Sequence, residues 1–426
     1  MLLLKNMFGI KSIRETMRQI EVNVAYRWYL NLNFDQEVPD HSTISKTYAR
    51  RFADNDIFEK LFIHILSLAD SFGYLGNDDI HGDATHIKAS ANKRKYEEID
   101  VEAIDSIKER LLVDINELRE ELDQKPIELE KYETKDDDLD NDINNRPGGS
   151  HPDKKYYDED RYITKKSTKK VKVSKVDKDA GYYYRDEKEK GFVYQDHRLV
   201  DGLYNFIIAT SIEPGNIHDS KAIFKALNKL EEYGFEYKKI ALDSGYNNVE
   251  LMEYLNHINK YAVIAHRRFS KTKDKSYYDI EQDFFVCEMG CIFKKKNVNK
   301  SGVIQYYHRE NCYECPKKCF SGKTTKFKIF TRHIWAGYRD DNRTRRLSSE
   351  GKELYTKRKE TVERSFADSK QNHGLRWTLY RGITKNQNYN FLLCAAQNLK
   401  KICRLKAIEY AIEQENKENG PTICIF

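Results

Sequence analysis

Residues 191–220, GFVYQDHRLVDGLYNFIIATSIEPGNIHDS, hold two apolar segments on either side of Asp201-Gly202. Asp-Gly is a strong turn former, so the pattern predicts a β-hairpin, with a helix beginning near His218 and Asp219. Downstream, KKIALDSGYN predicts a short buried strand ending at Asp243, NVELMEYLNHINKY a helix and YAVIAH another strand. Upstream, DDIHGDATHI is short and strand-like, with Asp83 expected at its end. Near the C-terminus, TVERSFADSKQNHGLRW (361–377) reads as a basic helix in which one acid, Glu363, stands among Arg364, Lys370 and Arg376. NYNFLLCAAQNLKKICRL then predicts an amphipathic helix. This succession of strand, insertion, hairpin, helix, strand, helix, strand, insertion and helix predicts a mixed α/β fold around one central sheet.

Charge decides little at the level of the whole chain. Lys and Arg exceed Asp and Glu by 74 to 68 over 426 residues, so a polyanionic partner must be sought in local clusters. The opening MLLLKNMFGI is broken by Lys5, too short for a signal-peptide core, and no later stretch approaches the length of a membrane span. The expectation is a soluble, cytoplasmic protein without a membrane partner.

Residues 1–73 have helical apolar spacing, with a break at Val38-Pro39-Asp40 and Ser42 or Thr43 expected to cap the middle helix. Lys46, Arg50 and Arg51 on that helix suit a DNA contact and a solvated face about equally. Further on, Ile104, Leu111, Ile115, Leu118 and Leu122 keep near-heptad spacing, which predicts a helix over 104–122 with a stripe able to serve as a dimer interface. KDDDLDND and NNRPGGSHP predict an exposed linker, and TKKSTKKVKVSK a mobile basic arm.

Three acids stand where different elements could bring them together: Asp83 and Asp243 on strands, Glu363 on a helix. Hard divalent cations take oxygen ligands, and a two-metal phosphodiester centre needs carboxylates on rigid elements to hold ions roughly 3.5–4 Å apart. Singly, each acid is better explained as a surface or capping residue, since the chain has 68 of them. Jointly, with the blocks around them, they carry a resemblance. GDATHIKASANKRK, ALDSGYN and VERSFADSKQNHGLRWTLYRG resemble the three acidic blocks of bacterial insertion-sequence DDE transposases, and NVAYRWYLNL with VPDHSTISKTYARRF resembles their N-terminal helical domain.

The resemblance implies an RNase H-like mixed sheet with helices on both faces, plus an N-terminal helical domain and two insertions. It implies Mg²⁺, two ions with Mn²⁺ as a substitute, held by Asp83, Asp243 and Glu363. It also implies double-stranded DNA as partner, both the inverted repeats of the element and the target, engaged by a homodimer on paired ends at the bacterial nucleoid. The implied boundaries are 1–73 for the helical domain and 74–95, 186–266 and 351–410 for the catalytic core. Residues 96–185 form a charged insertion, 267–350 a cysteine-bearing one and 411–426 a tail. Met1 falls in what resembles the middle of the relatives' helical domain, which implies missing residues before it.

Many relatives carry Tyr-x2-Arg-x3-Glu-x6-Lys around the glutamate, whereas here Tyr355 and Arg358 lie one residue too far upstream. Taking 355–370 as one helix at about 100° per residue puts Lys359, Glu363, Phe366 and Lys370 on one face and turns Arg358 away. Lys359 is therefore the expected cation. Lys359, Arg364, Lys370, Arg376 and Arg381 are the expected DNA contacts, neutralising phosphates without reading bases. His86, Asn92, His218 and Asp219 receive no chemical step.

Five of the eight cysteines lie between 287 and 319. Cys287-x3-Cys291 and Cys312-x2-Cys315, about twenty residues apart, have the spacing of a structural Zn²⁺ ribbon, with Cys319 a substitute ligand. Cys394, Cys403 and Cys424 are expected in the core or tail. Two further functions keep parts of this pattern: a zinc-containing DNA-binding derivative that no longer catalyses, and a metal nuclease that cuts without joining.

Overall fold

The computed structural model describes residues 1–52, 55–129, 161–186, 190–266, 275–313, 315–317 and 327–419. Cys319, Cys424, the acidic KDDDLDND and NNRPGGSHP lie outside them.

The chain begins with short helices, α1 (Leu2–Met7), α2 (Ile13–Val22), α3 (Val24–Tyr29) and α4 (His41–Thr47), followed by α5 (Ile57–Ser71). Asp40, not Ser42 or Thr43, caps α4, its carboxylate accepting from the Ser42 amide at 2.8 Å. The acid lies one residue before the first helical turn, where free amides need an acceptor.

The central sheet is built from β1 (Asp79–Lys88), β4 (Gly181–Tyr184), β5 (Lys190–Asp201), β6 (Ile207–Pro214), β7 (Lys239–Leu242) and β8 (Tyr261–Ile264). β5 and β6 form the expected antiparallel hairpin, and β5 pairs antiparallel with β1 from Ile80–Asp201 to Lys88–Val193. β7 and β8 continue the sheet in parallel with β1, joined through α7 (Asp219–Glu232) and α8 (Val249–His257). The order β6-β5-β1-β7-β8, three antiparallel strands followed by two parallel ones, is consistent with an RNase H-like domain carrying helical additions.

Buried Ile80, Leu199, Ile207, Ile240 and Leu242 knit the sheet to Phe62 of α5 and Phe391 of the long C-terminal helix α13 (Ile383–Asn419). Side chains alternate across a strand, and β5 shows what covers each face. Gln195 bonds to Asp219 of α7, whereas Arg198 bonds to Ser369 of α12 (Val362–Asn372) and approaches Asn390 of α13. Helices thus cover both faces.

Two expectations are corrected. The lysine-rich stretch is no mobile arm: β3 (Arg161–Ser174) pairs along its length with β2 (Tyr96–Lys108) in a two-stranded ribbon. The predicted helix over 104–122 begins only at Glu109, as α6 (Glu109–Glu121), because Ile104 belongs to β2. Its stripe is already covered. Leu111, Leu112, Ile115 and Leu118 are buried against Phe293, Ile304, Tyr306 and Trp335 of a second core, so they offer no free dimer interface. That core includes the antiparallel sheet β9–β13, spanning Tyr277–Asp279, Phe284–Val286, Ile292–Val298, Val303–Tyr307 and Ile329–His333, with the short helix α9 (Arg309–Tyr313) before β13. α10 (Ala336–Leu347) and α11 (Ser349–Glu360) lead back to the central sheet.

Candidate active site

The parallel register of β1 and β7 brings two of the acids together. Gly82 pairs with Leu242, so Asp83 and Asp243, the next residue on each strand, leave the pairing side by side. Asp83 is not at a strand end, as expected, but in mid-strand, because β1 runs on to Lys88 along β5 after β7 has stopped. Glu363 arrives on α12, which packs on β1 and β5.

Arg358 links all three. Its Nη2 lies 2.5 Å from Asp83 Oδ2, its Nη1 3.4 Å from Glu363 Oε1 and 3.9 Å from Asp243 Oδ1, and its Nε donates to the Gly82 carbonyl at 3.4 Å. Tyr355 donates from its hydroxyl to Asp243 at 3.3 Å. The helical-phase expectation is therefore corrected. Thr361, at φ −105° and ψ −89°, breaks the helix between α11 and α12, so residues 355–370 do not share one phase. The break turns Arg358 and Tyr355 into the carboxylates, whereas Lys359 is exposed.

The carboxylates differ in setting. Asp83 is 20% exposed against 44% for Asp243 and 47% for Glu363. Burial pushes the Asp83 carboxyl up to about 6, Arg358 pulls against this, and Asp243 and Glu363 add to the rise. Three carboxylates around one guanidinium form a donor set chemically suited to a hard cation. Among the described residues, no group of three or more His, Cys, Asp or Glu side chains is close enough to hold a metal as it stands.

The other expected DNA contacts lie on α12 and on the segment that follows it. Arg364 is exposed and Lys370 half-buried on α12. Burial, followed by the charge of Arg376, lowers the Lys370 pKa. Arg376 and Arg381 are exposed, but their segment is anchored: the Arg376 carbonyl accepts from the Lys88 amide at 3.2 Å, and Arg381 Nε donates to the Ser90 carbonyl at 3.3 Å.

Beneath the site lie residues missed from sequence. Gln195, Asp196, His197 and Arg198 are all buried in β5. Four consecutive polar residues inside an otherwise apolar strand are the signal that could have found them, since buried polar groups need partners. Asp196 and Arg198 pair at 2.7 Å, Arg198 is held by Ser369 at 2.7 Å and Ser365 at 3.3 Å, and its guanidinium lies over the Phe366 ring.

In the second core, Cys287 and Cys291 close a turn, the Cys287 amide donating to the Cys291 carbonyl at 3.0 Å. Burial raises the Cys291 thiol pKa, and the neighbouring Cys287, Cys315 and Cys312 thiols raise it further. Cys394 is buried in α13 and Cys403 exposed on it.

No helix among the described residues is long and apolar enough to cross a membrane. No curated protein matches the chain. Residues 286–403, which include Glu363 and Cys287, Cys291, Cys312 and Cys315 but neither Asp83 nor Asp243, match the Transposase DDE domain family, whose members typically use a divalent metal. Residues 1–50 match the Transposase domain (DUF772) family. These matches indicate a DNA-modifying enzyme that functions in transposition, consistent with an insertion-sequence DDE transposase.

Proposed function

We propose that the protein catalyses Mg²⁺-dependent DNA cleavage at the ends of an insertion sequence and strand transfer into target DNA. The observation that carries this reading is the meeting of Asp83, Asp243 and Glu363, from three distant segments, on the single Arg358 guanidinium. These three carboxylates would hold the Mg²⁺ ions, which supply an activated water and stabilise the leaving 3′ oxygen when bound. Asp83, in mid-strand, paired with Arg198 of β5 and next to the last pair with β7, gives the set its rigid origin.

In the first step a water oxygen bonds to the scissile phosphorus and the 3′ oxygen leaves as a hydroxyl. In the second the oxygen of that hydroxyl bonds to a target phosphorus while the bond from that phosphorus to the target's own 3′ oxygen breaks and that oxygen leaves as a hydroxyl, and no covalent enzyme intermediate is required. Lys370, Arg364, Arg376, Arg381 and Lys359 would neutralise flanking phosphates. Residues 74–95, 186–266 and 351–410 are assigned to this catalytic core, with 1–73 as a DNA-binding helical domain. The working form is assigned as a homodimer on paired ends; a monomeric scattering mass on DNA would contradict that.

The test is cleavage and strand transfer on element-end DNA with Mg²⁺. Joined product from the wild type and none from Asp83→Ala, Asp243→Ala or Glu363→Ala is expected. Activity retained in any of the three would sink the assignment, cutting without joining would indicate a nuclease, and binding alone an inactive derivative.

We also assign a structural Zn²⁺ to Cys287, Cys291, Cys312 and Cys315 on the spacing of the two cysteine pairs in the sequence. Metal analysis of purified protein should find about one zinc per chain, lost with Cys291→Ser; a zinc-free, folded wild type would remove the assignment.

A further inference from the structure

Asp243 leaves β7 into a tight turn, Ser244–Tyr246, whose last residue is buried. Two contacts clamp this turn from below. Tyr246 places its hydroxyl 3.1 Å from His197 Nδ1. Gly245 lies so close to Asp219 that a Cβ there would stand 2.5 Å from Asp219 Oδ2. The two clamps are joined: His197 Nε2 lies 3.3 Å from Gln195 Oε1, and Gln195 Nε2 donates to Asp219 Oδ1 at 3.1 Å.

With Asp219 ionised, the chemistry of the partners fixes the protons from Tyr246 to Asp219, and the Gln195 amide nitrogen also lies 3.2 Å from His86 Nε2. A carboxylate only accepts, so the Gln195 amide nitrogen must face Asp219 and its oxygen must face His197. That oxygen cannot donate, which puts the His197 proton on Nε2. Nδ1 is then a bare acceptor, and the Tyr246 hydroxyl must donate to it. The direction Tyr246 to His197 to Gln195 to Asp219 requires a neutral imidazole, and complete burial lowers the His197 pKa to about 3.

We propose that Gln195, His197, Asp219 and Tyr246 are positioning residues that fix the Asp243 turn, and through it the carboxylate, for cation binding. The proposal rests on the reading of Asp243 as a metal ligand. None of the four hydrogen-bonds to the Arg358 cluster, so they would act through the turn, with the Asp219 carboxylate also bearing on Asp243 by charge. Supporting contacts around a ligand commonly change metal affinity about 10–100-fold when removed.

The test is Mn²⁺ binding to the full chain without DNA, read from the paramagnetic resonance of free Mn²⁺, beside element-end DNA affinity and the unfolding temperature. Tyr246→Phe removes only the buried hydroxyl, and Gly245→Ala pushes the half-buried turn away from Asp219. Each is expected to weaken Mn²⁺ binding about tenfold while DNA affinity stays within about twofold, a split that general loosening of the fold does not produce. If Tyr246→Phe fails to fold, Gly245→Ala decides. Wild-type Mn²⁺ affinity in a folded variant, with binding lost in Asp243→Ala, would overturn the network and leave the site intact. Wild-type affinity in Asp243→Ala itself would overturn both.

Discussion

Two Asp–Arg pairs lie side by side in this molecule and are built for opposite ends. Asp83 and Arg198 face each other in register across β1 and β5, yet each turns to another partner, Asp83 to Arg358 and Arg198 to Asp196. The Asp196–Arg198 pair is sealed, with both side chains at 0% exposure, and Thr210 and Asn390 donate to Asp196 at 2.7 and 2.8 Å. Arg358, itself buried, instead joins one fairly buried carboxylate to two half-exposed ones, so its cluster opens to solvent at Asp243 and Glu363. A closed pair anchors the helix carrying Glu363 to the sheet carrying Asp83; the other cluster leaves two of its carboxylates, Asp243 and Glu363, half-exposed.

The sharpest way to break this contrast is Arg198→Met. It strands Asp196 in the core and should cost about 3–5 kcal/mol, read as a lowered denaturation midpoint that Mg²⁺ or Mn²⁺ does not restore. A smaller effect comes from pH. The folded-state pKa of Asp83 is raised from 3.8 to about 6, so its protonated form favours the folded chain, and that contribution is lost as pH rises through 6. In EDTA, the stability of the wild type relative to Asp83→Asn should therefore fall by up to about 3 kcal/mol between pH 4 and pH 7. A flat difference would mean that Arg358 neutralises Asp83 fully.

Arg358→Met should cost about 1–3 kcal/mol in EDTA, and here added Mn²⁺ should recover the loss by binding the freed carboxylates. If Mn²⁺ rescues Arg198→Met and not Arg358→Met, the roles of the two pairs are reversed. The smallest change is Tyr355→Phe, which removes one half-buried hydrogen bond to Asp243 and should lower stability by about 0.5–1 kcal/mol in thermal unfolding.

Much of the central sheet was legible because its apolar strands and the Asp201-Gly202 turn are local signals. Asp83, Asp243 and Glu363 lie on or beside recognisable elements, but among 68 acids it was the resemblance of the blocks around them that singled them out. The ribbon was not legible: β3 carries paired lysines between small and β-branched residues with no strict alternation, and its state depends on β2, far away in sequence. The stripe of α6 was visible, but what covers it comes from residues 293–335. Gln195 and His197 show as a polar run, yet their partners Asp219 and Tyr246 are set only by the fold. Arg358 was misjudged because periodicity was carried through Thr361, where the backbone abandons it.

That break has a consequence for how such chains are compared. In an unbroken helix the number of residues between a cation and an acid encodes the angle between them, so shifting one by a single position changes its meaning. Here two helices meet at a corner, and what must be kept is the corner's address relative to each partner. A ruler that counts residues from Arg358 to Glu363 measures punctuation as though it were part of the word.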